Sequence, residues 1–75
     1  MRIYVFKSET TTRLRAFAGD AAGSNLPASH APWTATGIVA ADRAPPHNFS
    51  RDAIERAIEA DGFQLWRLRK AKAPN

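Results

Sequence analysis

The N-terminal half of the chain shows the alternation of side chains that is typical of β-strands. Residues 2–7 are apolar on both faces of the predicted strand, and the polar stretch 8–12 has the length of a hairpin loop. In the next run, 13–18, Leu, Ala and Ala alternate with Arg13, Arg15 and Phe17. A further run at 33–40 contains Gly37, a candidate position for a β-bulge. This half therefore predicts three strands.

The period changes to that of a helix after Ser50, which is a favoured N-cap residue. The apolar stripe follows the i, i+3, i+4 rhythm and ends in a polar residue, with members Ile54, Ala57, Ile58 and Asp61. Phe49 is placed as a hydrophobic staple toward Ile54, and Gly62 is placed as a left-handed C-cap. Asp52 in the first turn complements the helix dipole and can pair with Arg56 on the solvent side.

From Phe63 the period returns to two, which predicts a final strand directly after the helix. The segment 19–32, with two Gly and two Pro, reads as a long ordered loop, and the prolines in 42–48 make that segment a rigid non-helical connector. The order β-β-β-α-β predicts an α+β fold, with a small, mainly antiparallel sheet of three to four strands and one helix packed on one face. We expect a single domain over 1–70 and a frayed tail over 71–75. The pattern leaves the strand order open.

With one helix, regular structure covers only one face of the sheet. We expect Ile54 and Ile58 to lie over a core formed by Ile3, Val5, Leu14, Ala16 and Ala18. The opposite face would then carry Arg2, Tyr4, Phe6, Arg13, Arg15 and Phe17. The last strand adds either Trp66, Leu68 and Lys70 or Phe63, Leu65, Arg67 and Arg69, depending on its register. Aromatic rings interleaved with Arg could stack on bases and meet phosphates.

Charge is unevenly distributed along a chain whose formal net charge is +4. Residues 1–18 carry four basic residues against Glu9, and 63–75 carry four basic residues and no acid, whereas the predicted helix is acidic. A basic sheet beside an acidic helix indicates an anionic partner without naming it. The N-terminal apolar run of about four residues is too short for a signal peptide or a membrane span, so we expect a cytoplasmic protein without a membrane partner.

Candidate catalytic chemistry is sparse. The chain has no cysteine, which excludes disulfides, thiolate ligands and thiol nucleophiles. His30 and His47 could join Asp20 or Asp42 around a metal, but their spacing is more typical of ordinary loop residues. With 75 residues there is little room for a substrate cavity. We therefore expect no enzyme activity, no catalytic or metal residues and no cofactor.

Three hypotheses remain for the face opposite the helix. The leading one is a protein contact, with a partner or in a homodimer, because a large exposed apolar patch usually marks an interface. The alternative, from another class, is weak, sequence-tolerant nucleic-acid binding. In a third, the 19–32 loop covers Tyr4, Phe6, Phe17 and Trp33 as a second small core. The candidate binding residues are Tyr4, Phe6, Arg13, Arg15, Phe17, Arg67 and Arg69.

Overall fold

The computed structural model describes residues 2–45 and 49–68, and it confirms the α+β class. The elements are β1 (Ile3–Ser8), β2 (Leu14–Ala18), β3 (Trp33–Val39), α1 (Arg51–Asp61) and β4 (Phe63–Arg67). The strands form one antiparallel sheet in the order β3-β1-β2-β4. The two strands of the N-terminal hairpin are therefore central, and β3 and β4 are the edges.

Local signals in the sequence set both ends of α1. The backbone N–H of Ala53 donates to the Ser50 hydroxyl at 3.2 Å, and Gly62 adopts the left-handed conformation with φ of 89°. The N–H of Gly62 donates to the carbonyl of Ile58 at 2.7 Å. Asp52 pairs with Arg56 at 2.8 Å. The predicted caps and ion pair are thus confirmed. Among the described residues, no helix is long and apolar enough to span a bilayer.

The helix packs mainly against β4 and also contacts β2. The buried cluster between the helix and the sheet consists of Ile54 from the helix and Ile3, Phe17 and Val39 from the strands. Phe49 and Trp66 pack against this cluster. The ring of Phe17 stacks on Trp66 with centroids 5.2 Å apart, and the edge of Phe49 meets Phe17 at 5.5 Å. Phe49 therefore contributes to the aromatic core as well as marking the start of the helix.

The predicted assignment of faces is confirmed for β1, where Ile3 and Val5 lie on the helix face, and wrong for β2. Val5 pairs with Phe17 and Phe6 pairs with Ala16, so Phe17 lies under the helix. The small apolar residues of β2 lie on the other face, beside Tyr4 and Phe6. Both strands carry apolar side chains on both faces, so alternation alone does not set the register, and a slip of one residue exchanges the faces.

The edge strand β3 is irregular next to Gly37. Val5 is opposite Gly37, whereas Phe6 is opposite Ala35, which leaves Thr36 as the extra residue. The hydroxyl of Thr36 donates to the carbonyl of Val5 at 3.3 Å. The predicted bulge therefore exists and falls on the neighbour of the glycine.

The loop 19–32 covers the centre of the face opposite the helix. A Cβ atom placed on Gly23 would lie 3.1 Å from Cζ of Phe6 and 2.7 Å from Cδ1 of Leu26. The indole N–H of Trp33 donates to the carbonyl of Pro27 at 2.9 Å. Beneath the loop lie side chains that are 0–4% exposed, namely Phe6, Leu14, Ala16 and Ala18. The hypothesis of a second small core is thus confirmed for Phe6 and wrong for Phe17.

A hydrogen-bond network ties this loop to the β1–β2 turn. Ser8 is only 7% exposed. Its hydroxyl donates to the carbonyl of His30 at 2.7 Å and accepts from the N–H of Thr11 at 2.9 Å. The Thr11 hydroxyl lies 2.8 Å from Nδ1 of His30. The N–H of Glu9 donates to the carbonyl of Pro32 at 2.9 Å. The loop is therefore a fixed layer of the fold.

Candidate interaction surfaces

The seven candidate binding residues do not form one surface. Phe17 is fully buried and Phe6 is 4% exposed, on opposite faces of the sheet. Arg15 lies on the helix face opposite Trp66 in β4, whereas Arg67 lies on the loop face opposite Leu14.

Two further candidates lie at opposite ends of the β1–β2 hairpin. Tyr4 is half-buried on the loop face, and Arg13 is exposed in the turn before β2 with φ of 63°. Arg69 lies outside the described residues, as do His47 and the tail 71–75. Because Phe6 and Phe17 are buried on opposite faces of the sheet, the candidate aromatic residues within 2–45 and 49–68 form no continuous platform for stacking bases.

The most open strand is β3. Its residues 34–38 are all exposed, and no side chain from Trp33 to Val39 is charged. In the part of the chain that the structure describes, its outer edge pairs with no other strand. Natural edge strands are commonly protected by charges, prolines or bulges, and of these β3 carries only the bulge at Thr36. Its outer backbone groups can accept another strand.

An apolar patch adjoins this edge on the loop face. Ile38 is 61% exposed and lies opposite the half-buried Tyr4, and Ala35 is exposed opposite Phe6. We call Tyr4, Ala35 and Ile38 the β3 rim. The sequence pattern does not single out Ile38, because an apolar residue in a strand is normally part of the core, and only the strand order places it at an edge.

A second group of residues is basic and lies around the end of the sheet that carries the β1–β2 turn, with Lys7 and Arg15 on the helix face and Arg67 on the loop face. Lys7 is directly opposite Arg15, and Arg67 is opposite Leu14. Arg13 joins them because its carbonyl accepts the N–H of Leu68 at 2.8 Å. We call Lys7, Arg13, Arg15 and Arg67 the basic end.

Acidic groups on the described residues mostly have partners of their own. Glu9 lies 3.9 Å from Lys7 and accepts the hydroxyl of Thr34. On the helix, Arg51 donates to Glu55 at 2.9 Å, and this hydrogen bond lowers the pKa of Glu55 below its usual value.

The arginines of the basic end have no such partners. Within residues 2–45 and 49–68, Arg13, Arg15 and Arg67 form no ion pair with an acid. The basic end therefore keeps most of its positive charge uncompensated.

The loop histidine and aspartate considered as metal ligands make other contacts. His30 bonds to Thr11, and its ring lies 6.3 Å from that of Trp33. Asp20 accepts the hydroxyl of Ser24 at 2.7 Å, and this hydrogen bond lowers the pKa of Asp20 below its usual value. The described residues contain no group of three His, Cys, Asp or Glu that could hold a metal ion.

No protein-family model matches the chain, and the searches of curated proteins and of solved structures found no match either. The functional argument therefore rests on the two surfaces themselves.

Proposed function

We propose that the protein is a small, non-enzymatic binding domain of the cytoplasm that contacts another protein through the outer edge of β3 and the β3 rim. The occupant is a strand of a protein partner or of a second copy. The observation that carries the proposal is an uncharged edge strand with five consecutive exposed residues and an isoleucine that is 61% exposed.

Strand addition fits this edge physically. A strand that pairs with β3 gains backbone hydrogen bonds from groups that otherwise bond to water, and its alternate side chains reach the rim. Complete burial of an isoleucine side chain is worth about 1.5–3 kcal/mol. The bulge at Thr36 restricts which strands fit, since a bulged edge is more strongly twisted.

The exposure of the other apolar residues favours the β3 rim as the contact site over the rest of the loop face. The loop 19–32 buries the centre of that face, where Phe6 and Ala16 are only 4% and 0% exposed. Leu65, the other large exposed apolar residue among those that the structure describes, lies on the opposite edge and is 37% exposed. The rim therefore offers the more exposed apolar side chain of the two.

Photo-crosslinking in cells tests this proposal. A photoreactive amino acid at position 38 should give one dominant crosslinked species, whose mass identifies a partner or a second copy. The same amino acid at position 60, on the exposed side of α1, is the matched control and should give only diffuse products. Moving the probe to position 35 and adding Ile38→Lys should abolish the species, because a charge at an edge opposes pairing. Equal crosslinking from positions 38 and 60 would overturn the proposal.

A further inference from the structure

The basic end contains a cross-strand pair that is unfavourable by itself. Lys7 and Arg15 are direct register partners on the helix face, where side chains on neighbouring strands lie close together. Like charges in this position are destabilising. Glu9 lies 3.9 Å from Lys7 and partly compensates the charge of Lys7. The guanidinium of Arg15 instead donates to the carbonyl of the adjacent Leu14 at 3.5 Å, which does not compensate its charge. A bound anion would remove this repulsion.

The sheet order adds two more cations at the same end. Because β4 pairs with β2, Arg67 is brought opposite Leu14, and the hydrogen bond from Leu68 holds the end of β4 against Arg13. Neighbouring strands are about 4.8 Å apart, so the backbones of the three strands span roughly 10 Å at this end. Lys7 and Arg15 project from the helix face and Arg67 projects from the loop face around the same end. The sequence continues after Leu68 with Arg69, Lys70 and Lys72, which lie outside the described residues.

We propose that the basic end binds the phosphodiester backbone of single-stranded nucleic acid without reading its sequence. Three of its four cations are arginines, whose planar guanidinium groups match phosphate oxygens in pairs. Sequence tolerance follows because Phe17 and Phe6 are buried, so affinity comes from charge more than from stacking. A strand of several phosphates can neutralise Lys7 and Arg15 together.

The surroundings favour a nucleic acid over a membrane. Interfacial membrane binding requires a continuous apolar face beside the charges. Near the basic end, the exposed large apolar residue among those described is Leu65, and Ile38 lies on the other edge strand. This proposal uses a different surface from the β3 rim and stands independently of the protein contact.

Fluorescence anisotropy with a labelled, mixed-sequence DNA single strand tests the inference. Binding should weaken as salt rises, with the slope of log K against log salt near −0.7 for each phosphate neutralised. Arg15→Gln and Arg67→Gln should each raise Kd several-fold and reduce the slope by about 0.7. Arg56→Gln is the matched control, because it removes the same charge from an arginine paired with Asp52 on the helix, and it should change neither quantity.

Two further measurements distinguish nucleic-acid binding from a role of Arg15 in stability and from non-specific binding to any polyanion. Thermal unfolding of Arg15→Gln should show no loss of stability, since the variant relieves the repulsion with Lys7. Vesicles of anionic phospholipid and a polyglutamate chain should bind more weakly than the oligonucleotide at the same salt. Equal Kd values for Arg15→Gln and Arg56→Gln would overturn the inference, as would tighter binding to either competitor.

Discussion

Two structural constraints require a glycine at position 62: the left-handed end of the helix and the close approach of a loop. The φ of 89° at Gly62 ends α1, and a Cβ atom placed on this residue would lie 2.7 Å from the Cβ of Asn25 in the loop that covers the opposite face. The residue therefore connects the helix end with the loop 19–32. The sequence predicted the cap from glycine's conformational freedom, but the approach of Asn25 depends on the path of a loop that has no periodic signal.

We expect Gly62→Ala to lower the free energy of unfolding by about 1–3 kcal/mol, because a side chain there is both strained and crowded. Gly37→Ala is the control, since nothing lies within 4 Å of a Cβ placed there. That variant should stay within about 0.5 kcal/mol of the native protein. Urea unfolding of the three proteins measures both values, and similar midpoints for the two variants would contradict this account of Gly62.

Among the elements, the loop 19–32 performs a role that a second helix fills in other small sheets. Ser8 holds it at the turn end through the carbonyl of His30, and Pro27 holds it through the indole of Trp33. The first contact joins residues 22 positions apart in the sequence, and the second joins residues six positions apart. They explain why the aromatic surplus of the sheet does not leave an open face.

Removal of the Ser8 hydroxyl should loosen this loop. Ser8→Ala leaves the His30 carbonyl and the Thr11 N–H without their partner, which should cost about 1–3 kcal/mol of stability. Hydrogen exchange at the amide of Thr11 should become faster than in the native protein. Ser29→Ala, an exposed serine in the same loop, is the control and should alter neither quantity. Unchanged exchange in Ser8→Ala would show that the Ser8 hydroxyl does not hold the loop.

The elements themselves were predictable, whereas their faces were not. Ser50 and Gly62 act within one turn of chain, so local residue types define α1. The position of Phe17 under the helix depends on the hairpin register, and β1 is apolar on both faces, so each register buries apolar side chains. Likewise, Ile38 becomes a surface residue only because β3 pairs on the outside of β1. The pairing of strands therefore determines both the burial of Phe17 and the exposure of Ile38.

At the scale of the whole molecule, acid should reduce stability. The pKa of Asp20 is lowered by Ser24 and that of Glu55 by Arg51, from ordinary values of 3.8 and 4.5. A carboxyl whose pKa is lower in the folded state stabilises that state above the unfolded pKa, and this contribution is lost as pH falls through the folded value. Protonation also increases a net charge that is already +4, so repulsion acts in the same direction.

We therefore expect the free energy of unfolding to be level above pH 4.5 and to fall as the pH is lowered through 3.8. Urea titrations at a series of pH values measure this. Ser24→Ala should make the decline shallower, because the pKa of Asp20 then returns toward its ordinary value in the folded state. A stability that rises on acidification below pH 4.5 would contradict the assignment.

The two-sided covering of the sheet has a consequence for synthesis on the ribosome. The buried residues of the loop-covered core, Phe6, Leu14, Ala16 and Ala18, all precede the end of the loop, whereas the other core requires Ile54 and Trp66. A nascent chain can therefore close one side of its hairpin while Ile3 and Phe17 on the reverse side still await the helix. During that interval the incomplete domain exposes an apolar face, which is the kind of surface that chaperones bind. Faster elongation through the last quarter of the message would shorten the time for which this face is exposed.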